Sequence, residues 1–132
     1  MSIALVCNDL MSGAQISAAA ARSGERLLTF SSPAALVAAL AGELAAEPPR
    51  LVIVDLAAPG LDLGAVIGAA RAVGPGAEIV AFGAHVQANR LAAARQAGCD
   101  RVLTRGQFFG QIDGALRSPN ASRPAGEAEN PS

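Results

Sequence analysis

The residues best placed to do chemistry are those that directly follow the short apolar runs of the chain. They are Asn8 and Asp9, then Asp55, then Gly83 and His85, and finally Thr104 and Arg105. In an open parallel sheet the carboxyl ends of the strands share one edge, where ligands bind beside loops and helix N-termini. Two carboxylates and a guanidinium could therefore meet there. Asp55 is the most informative, because a carboxylate that ends an apolar strand is costly to bury without a partner or a task. The alternative is that Asp55 caps the loop after it.

Five short apolar runs predict the strands that position these residues. The runs are Ile3–Cys7, Arg26–Phe30, Leu51–Asp55, Glu78–Phe82 and Arg101–Leu103. Their starts lie 23, 25, 27 and 23 residues apart, which is typical of a repeating strand-helix unit. Ala-rich segments with helical spacing lie between the runs, and residues 108–116 repeat the helical pattern after the last run. We therefore predict five βα units that form a parallel sheet with helices on both faces.

The length of the chain allows one domain and a short tail. Its 132 residues are 52% apolar but only 3% aromatic, so the core must consist of Ala, Val, Leu and Ile. Residues 1–117 form the predicted domain. From Ser118 the composition changes to Ser, Pro, Asn, Gly and Glu, which predicts a disordered C-terminal tail over residues 118–132.

Charge and cysteine content exclude several functions. The formal net charge of −1 lacks the excess of basic residues that general nucleic acid binding requires. The chain also contains no lysine that could form a Schiff base. No basic leader precedes the first strand and no apolar run approaches the ~20 residues of a membrane span, so we expect a cytoplasmic protein without a membrane partner. Cys7 and Cys99 lack metal-ligand spacing and are expected to be reduced thiols.

Four stretches of the chain resemble the receiver domain of two-component response regulators. They are residues 3–9, 51–62, 79–85 and 97–105. The most specific are Asp-Leu-x-x-Pro-Gly at residues 55–60 and Ala-Gly-x-Asp at residues 97–100. The likeness runs in order over residues 3–117. It implies a flavodoxin-like, doubly wound α/β fold, with a five-stranded parallel sheet in strand order 2-1-3-4-5.

The resemblance also implies phosphoryl chemistry centred on Asp55. This residue occupies the position of the family's phospho-accepting aspartate after the third strand. Asp9, Asp55 and the Ala57 carbonyl would hold a magnesium ion, because hard cations prefer oxygen ligands and phosphoryl transfer needs its charge offset. Gly83 and Arg105 occupy the positions that contact the phosphoryl group.

The sequence departs from the family pattern at the positions that support this chemistry. The first acid of the family's pair is Asn8 here, so we expect weak magnesium binding. The expected hydroxyl residue is Gly83 and the aromatic switch residue is Val102, so the pair that relays phosphorylation is missing. The expected lysine is Arg105, which keeps the charge on a broader, planar group. The phosphorylation site is therefore predicted to be degenerate.

Charged residues in the last third of the chain predict a partner surface. Residues 85–117 carry five Arg and two acids, whereas residues 1–84 carry four Arg and seven acids. Receivers use helix four, strand five and helix five for dimerisation or docking. The charged residues predicted on that face are Arg90, Arg95, Asp100, Arg101, Asp113 and Arg117. A solvated face of mixed charge is the alternative.

These observations favour a stand-alone receiver-like domain in bacterial two-component or phosphorelay signalling. We expect an interaction module rather than an enzyme. This module would bind a histidine kinase or an effector and could form a homodimer. One alternative is a competent single-domain response regulator phosphorylated on Asp55 with magnesium. Another is a small flavodoxin-like enzyme or nucleotide-binding protein that uses the same sheet edge.

Overall fold

A computed structural model describes residues 1–117, so the predicted tail over residues 118–132 lies outside the described residues. Five parallel strands form one sheet in the order β2-β1-β3-β4-β5. They are β1 (Ser2–Val6), β2 (Arg26–Phe30), β3 (Leu51–Asp55), β4 (Glu78–Gly83) and β5 (Arg101–Thr104). The predicted fold class and strand order are confirmed, and each predicted strand end lies within one residue of the observed one.

Six helices connect or follow the strands in the described part of the chain. They are α1 (Leu10–Arg22), α2 (Pro33–Ala41), α3 (Leu63–Val73), α4 (Ala88–Ala97), α5 (Arg105–Gly110) and α6 (Ile112–Ala115). Four of them begin after a polar residue whose side chain accepts a backbone N–H of the first turn, which is the usual N-cap. These caps are Asp9, Ser32, Asp62 and Thr104. Within residues 1–117 no helix is both long and apolar enough to cross a membrane.

Alternate residues of the central strands build a separate core on each face of the sheet. On β3, Val52 and Val54 join the core under α2, α3 and α4, whereas Leu51 and Ile53 join the core under α1, α5 and α6. Every residue of β3 and β4 is buried, as expected when helices cover both faces. A polar group at the end of β3 or β4 therefore sits between two apolar layers.

The C-terminal helical segment differs from the prediction. The pattern over residues 108–116 predicts one helix, but α5 ends at Gly110 and Gln111 leaves the helical region with a φ of −137°. A single turn, α6, then follows. Phe108 and Leu116 still pack in the same core. Glycines at 106, 110 and 114 lower the helix propensity of this segment, so tertiary contacts decide its path.

Two arginines at the amino edge of the sheet hold the end of this segment. Arg101 donates from Nη2 to the carbonyl of Ala115 at 2.6 Å and pairs through Nε with Oε2 of Glu78 at 2.7 Å. Arg50 donates to the carbonyl of Leu116. These bonds satisfy carbonyls that a helix end leaves without a partner, so a one-turn helix can stay in place.

Candidate functional site

Asp55 ends β3 in the interior, and only 2% of the residue is exposed. Its Oδ1 accepts the backbone N–H of Ala57 at 2.9 Å, so the residue does cap the loop that follows it. Its Oδ2 lies 3.6 Å from Sγ of Cys7 and 3.9 Å from Nη1 of Arg105. The buried carboxylate thus has a cation and two donors around it, which is the condition for burying a charge.

Asp9 follows β1 and caps α1. Its Oδ1 accepts the backbone N–H of Met11 at 3.3 Å, and its Oδ2 accepts the hydroxyl of Ser12 at 2.5 Å. The Ser12 hydrogen bond, the backbone donors and the nearby Arg105 guanidinium together hold the pKa of Asp9 below its ordinary value. Both oxygens of this carboxylate are therefore engaged within the protein.

Arg105, the first residue of α5, reaches across the carboxyl edge to both acids. Its Nη2 lies 3.3 Å from Oδ2 of Asp9 and 2.5 Å from the Ser12 hydroxyl, while Nη1 faces Asp55 at 3.9 Å. The guanidinium thus lies between the two carboxylates that the sequence placed at this edge. We call the five residues Cys7, Asp9, Ser12, Asp55 and Arg105 the carboxyl-edge pocket.

Aromatic rings fix the position of this guanidinium. The Cζ of Arg105 lies 5.4 Å from the ring centroids of both Phe82 and Phe109. The two rings contact each other edge to face, with centroids 5.4 Å apart, and both also pack against Phe108. A guanidinium within about 6 Å of a ring face is attracted by the ring quadrupole. Three of the four phenylalanines of the chain therefore support one charged group.

Cys7 lines the same pocket from the end of β1. It is buried, its Sγ faces Asp55, and the backbone N–H of Asp9 donates to Sγ at 3.4 Å. Burial raises the pKa of this thiol, and the Asp55 charge raises it further. Cys7 is therefore a neutral donor next to the aspartate rather than a thiolate nucleophile.

The residues present do not fit the predicted magnesium site in this arrangement. Asp9 already receives three donors, and one Asp55 oxygen receives a backbone N–H. A guanidinium lies between the two acids, and a divalent cation bound to both would stand beside a like charge. In the part of the chain that the structure describes, no three His, Cys, Asp or Glu residues converge on one point that could hold a metal ion. The set of Asp9, Asp55 and the Ala57 carbonyl stays a prediction.

Gly83, where the resemblance predicts a hydroxyl residue, is closely approached by neighbouring apolar side chains. A Cβ at Gly83 would lie 3.2 Å from Cδ1 and 3.3 Å from Cβ of Leu56, and 3.5 Å from Cδ2 of Leu91. Both leucines are buried. Val102, where the resemblance predicts an aromatic switch residue, is half-buried and packs against the core under α2, α3 and α4. The space around position 83 is therefore closed by apolar packing.

Two residues of the predicted partner face stabilise the domain itself. Asp100 accepts the backbone N–H of Ile79 at 2.7 Å and pairs with Arg71 at 2.9 Å. Arg101 holds Glu78 and the end of α6, as described above. Charges at the start of an edge strand pair with the neighbouring strand, so these side chains are engaged before any partner arrives.

The other predicted partner residues differ in how free they are. Asp113 pairs with Arg22 of α1 at 2.9 Å, and both side chains stay more than half exposed. Arg90 donates to a backbone carbonyl of the loop after β3 at 3.3 Å. Arg95 and Arg117 are exposed and make no side-chain hydrogen bond or ion pair within residues 1–117. Of the predicted partner residues, these two arginines thus have the side chains most available to a partner, and the partner surface remains a prediction.

Sequence reasoning missed Ser12 and three exposed apolar side chains. Ser12 is buried and joins Asp9 to Arg105, and its signal was its place three residues after a helix cap. Leu10, Met11 and Val86 are 87%, 71% and 76% exposed, and they follow β1 and β4 at the carboxyl edge. Their exposure leaves apolar surface at the carboxyl edge that a contact with another protein would bury.

An open groove of about 610 Å³ lies beside the pocket, between the loop after β3 and α4. It is lined by loop residues 56–61 and by Leu63, Arg90, Ala93, Ala94 and Ala97. Small apolar side chains form most of its wall, and Arg90 is its charged group. Ligand pockets need several convergent polar groups, so the nucleotide-binding alternative gains no further support here.

Comparison with solved structures places this fold among known ones. The phosphorylated cyanobacterial phytochrome response regulator RcpA superposes with a TM-score of 0.71 and 20% identity, over 86% of this chain and 89% of that chain. The BeF3-activated DrrB receiver domain gives 0.70 and 15%, over 87% and 92%. The Mn²⁺-bound response regulator Rcp1 gives 0.68 and 19%, over 86% and 89%. No protein-family model and no curated protein matches the sequence. The chain therefore has the flavodoxin-like fold of response-regulator receiver domains.

Proposed function

We propose that this chain is a receiver-like signalling module that acts by binding another protein and does not use an aspartyl-phosphate switch. The observation that carries the proposal is the closed space at Gly83, where Leu56 and Leu91 occupy the surroundings of the missing hydroxyl. A modification can shift a conformational equilibrium only through contacts that differ between the two states. With Gly83 and Val102 at the two switch positions, a phosphoryl group on Asp55 has no hydroxyl to draw in and no ring to follow it.

The free surface of the domain supports binding of a partner. Within residues 1–117 Arg95 and Arg117 make no ion pair and present positive charge, and Leu10, Met11 and Val86 present apolar surface at the carboxyl edge. Arg101 and Arg105 pair with acids of the domain itself, so Arg95 and Arg117 are the charges that suit a partner with an acidic surface. A histidine kinase or an effector of two-component signalling is the class of partner that the receiver fold suggests.

The competing proposal is a response regulator that is phosphorylated on Asp55. The observation in its favour is the position of Asp55 beside a cation at the carboxyl edge of the fold. Incubation with acetyl phosphate and magnesium, followed by intact mass measurement, separates the two proposals. We expect little or no phosphorylated protein, with Asp55→Asn as the unmodified reference. Near-stoichiometric modification that disappears in Asp55→Asn would refute our proposal.

A restored variant shows whether the departures from the family pattern cause the loss. It combines Asn8→Asp, Arg105→Lys and Gly83→Ser with Leu56→Ala, which makes room for the new side chain. One charge-assisted hydrogen bond and a stronger metal site should increase phosphorylation by roughly tenfold or more over the natural sequence. A restored variant that stays unmodified would show that other features of the pocket block the reaction.

Partner binding is tested on a partner identified by affinity purification from the host and then titrated as a purified protein. We expect Asp55→Asn to bind within about twofold of the natural sequence, because binding does not need the phosphoryl group. Arg95→Glu combined with Arg117→Glu should weaken binding roughly tenfold or more, and increasingly so at low salt. Binding that requires phosphorylation, or that ignores both charge reversals, would contradict the proposal.

A further inference from the structure

We infer that the guanidinium of Arg105 is a built-in cation of the carboxyl-edge pocket, and that it excludes a divalent cation from the space between Asp9 and Asp55. The inference concerns the pocket alone and holds whichever partner the domain binds. It assigns to Arg105 a role different from contact with a phosphoryl group.

Arg105 already neutralises one of the two negative charges of the pocket, which leaves a net charge of −1. Two carboxylates face one guanidinium, at 3.3 Å from Asp9 and 3.9 Å from Asp55. A divalent cation between the same two acids would bring a net excess of positive charge into a space bounded on one side by the core. The side chains of Arg105 and Asp9 are 39% and 44% exposed, so water partly screens this repulsion, but Asp55 is buried and the guanidinium would have to move away from it first.

Several contacts oppose that departure. The Ser12 hydroxyl is buried, donates to Asp9 and accepts from Arg105, both at 2.5 Å. Phe82 and Phe109 hold the guanidinium carbon at 5.4 Å from each ring centroid. Displacement would break the charge-assisted hydrogen bond and both cation–π contacts together, whereas a freely rotating side chain would lose little. The guanidinium is therefore a fixed part of the pocket.

The same contacts join three elements of the fold at their functional ends. Arg105 begins α5, Asp9 and Ser12 lie at the start of α1, and Asp55 ends β3. A metal ion bound to both acids would make such a connection with an added ligand. Here it forms from the chain itself, so the carboxyl edge is organised without a metal ion.

The test is the thermal response to magnesium chloride at constant ionic strength. We expect the natural sequence to melt at the same temperature, within about 1 °C, in EDTA and in 10 mM Mg²⁺. Arg105→Gln should melt at a lower temperature in EDTA, because two acids are left facing each other. With a Kd on the order of 1 mM for the opened site, 10 mM Mg²⁺ should raise its melting temperature by about 6 °C.

Two variants control for general charge effects. Arg26→Gln removes the same charge from an exposed position on β2 and should gain no magnesium response. Asp9→Asn added to Arg105→Gln should abolish the gain, because it removes one ligand. An equal magnesium response in the natural sequence, or in Arg26→Gln, would overturn the inference. So would an Arg105→Gln variant that folds and shows no response.

A direct measurement on the natural sequence covers the case in which Arg105→Gln does not fold. Mn²⁺ at 1 mM should broaden the amide resonances of residues 9–12 and 55–57 no more than the amide resonances of exposed acidic residues elsewhere in the domain. Selective broadening at the carboxyl edge would overturn the inference. Metal binding is measured by melting and by resonance broadening, whereas phosphorylation is measured by intact mass. If the inference about Arg105 fails, the acetyl phosphate experiment still tests the proposed function.

Discussion

Replacing Gly83 by alanine tests whether packing, and not chance, excludes a side chain from this position. The new Cβ would lie 3.2 and 3.3 Å from two atoms of Leu56 and 3.5 Å from Leu91. Leu56 cannot easily yield, because it is buried and its backbone N–H donates to the carbonyl of Phe82 at 2.9 Å. The contact to its Cβ is therefore close to fixed backbone rather than to a flexible side-chain end.

Two opposing terms set the expected change in the free energy of unfolding. Overpacking a tight core costs about 1–3 kcal/mol. Replacing a glycine in a strand gains up to roughly 0.5–1 kcal/mol, and Gly83 is the last residue of β4. We therefore expect Gly83→Ala to destabilise the domain by about 1 kcal/mol. The matched control is Gly68→Ala in α3, where nothing lies within 4 Å of the new Cβ and the domain should gain roughly 0.5–1 kcal/mol.

Urea unfolding is measured for five proteins: the natural sequence, Gly83→Ala, Leu56→Ala, their double variant and the Gly68→Ala control. Leu56→Ala alone should cost about 2–5 kcal/mol, and the double variant with Gly83→Ala should cost less than the sum of the two single changes. A coupling free energy on the order of 1 kcal/mol would confirm that the two positions compete for the same space. If Gly83→Ala stabilises as much as Gly68→Ala, or if the cycle is additive, the reasoning about position 83 is wrong.

Three further predictions follow from the contacts of single residues. Asp55→Asn keeps an oxygen that accepts the loop N–H, so the free energy of unfolding should change by less than about 1 kcal/mol. Val54→Asp places an unpaired charge in a buried strand and should lower the free energy of unfolding by more than about 4 kcal/mol, and urea unfolding measures both changes. Folding lowers the pKa of Asp9 from its ordinary 3.8, so the carboxylate contributes its full stabilisation above pH 3.8 and loses it as the pH falls through the folded pKa. Melting temperatures measured between pH 6 and 2.5 should therefore fall less steeply with acid in Asp9→Asn than in the natural sequence. Arg101→Ala leaves the buried carboxylate of Glu78 unpaired and should cost on the order of 3 kcal/mol, and equal stability would show that this ion pair is dispensable.

Local pattern was enough to predict most of the framework of this protein. The five apolar runs and the helical spacing between them depend on neighbours in sequence, so their signals survive without tertiary information. The positions of Asp9, Asp55 and Arg105 at one sheet edge followed from the same pattern, because residues after parallel strands share an edge. The strand order followed from the resemblance to receiver domains, since strands of similar composition can be ordered in several ways.

Tertiary structure decided how the side chains at that edge are used. Arg105 and Asp9 are 96 residues apart in sequence, and only the folded sheet brings the guanidinium of Arg105 within reach of the Asp9 carboxylate. The same holds for Leu56 at Gly83 and for Glu78 with Arg101, where packing selects one partner from several of equal chemistry. The sequence therefore determined which residues meet at the carboxyl edge, while the folded structure decided that an arginine, and not an open cation site, lies between the two acids. Strand and helix signals are local, whereas the choice of partner for a long charged side chain depends on distances that exist only after folding.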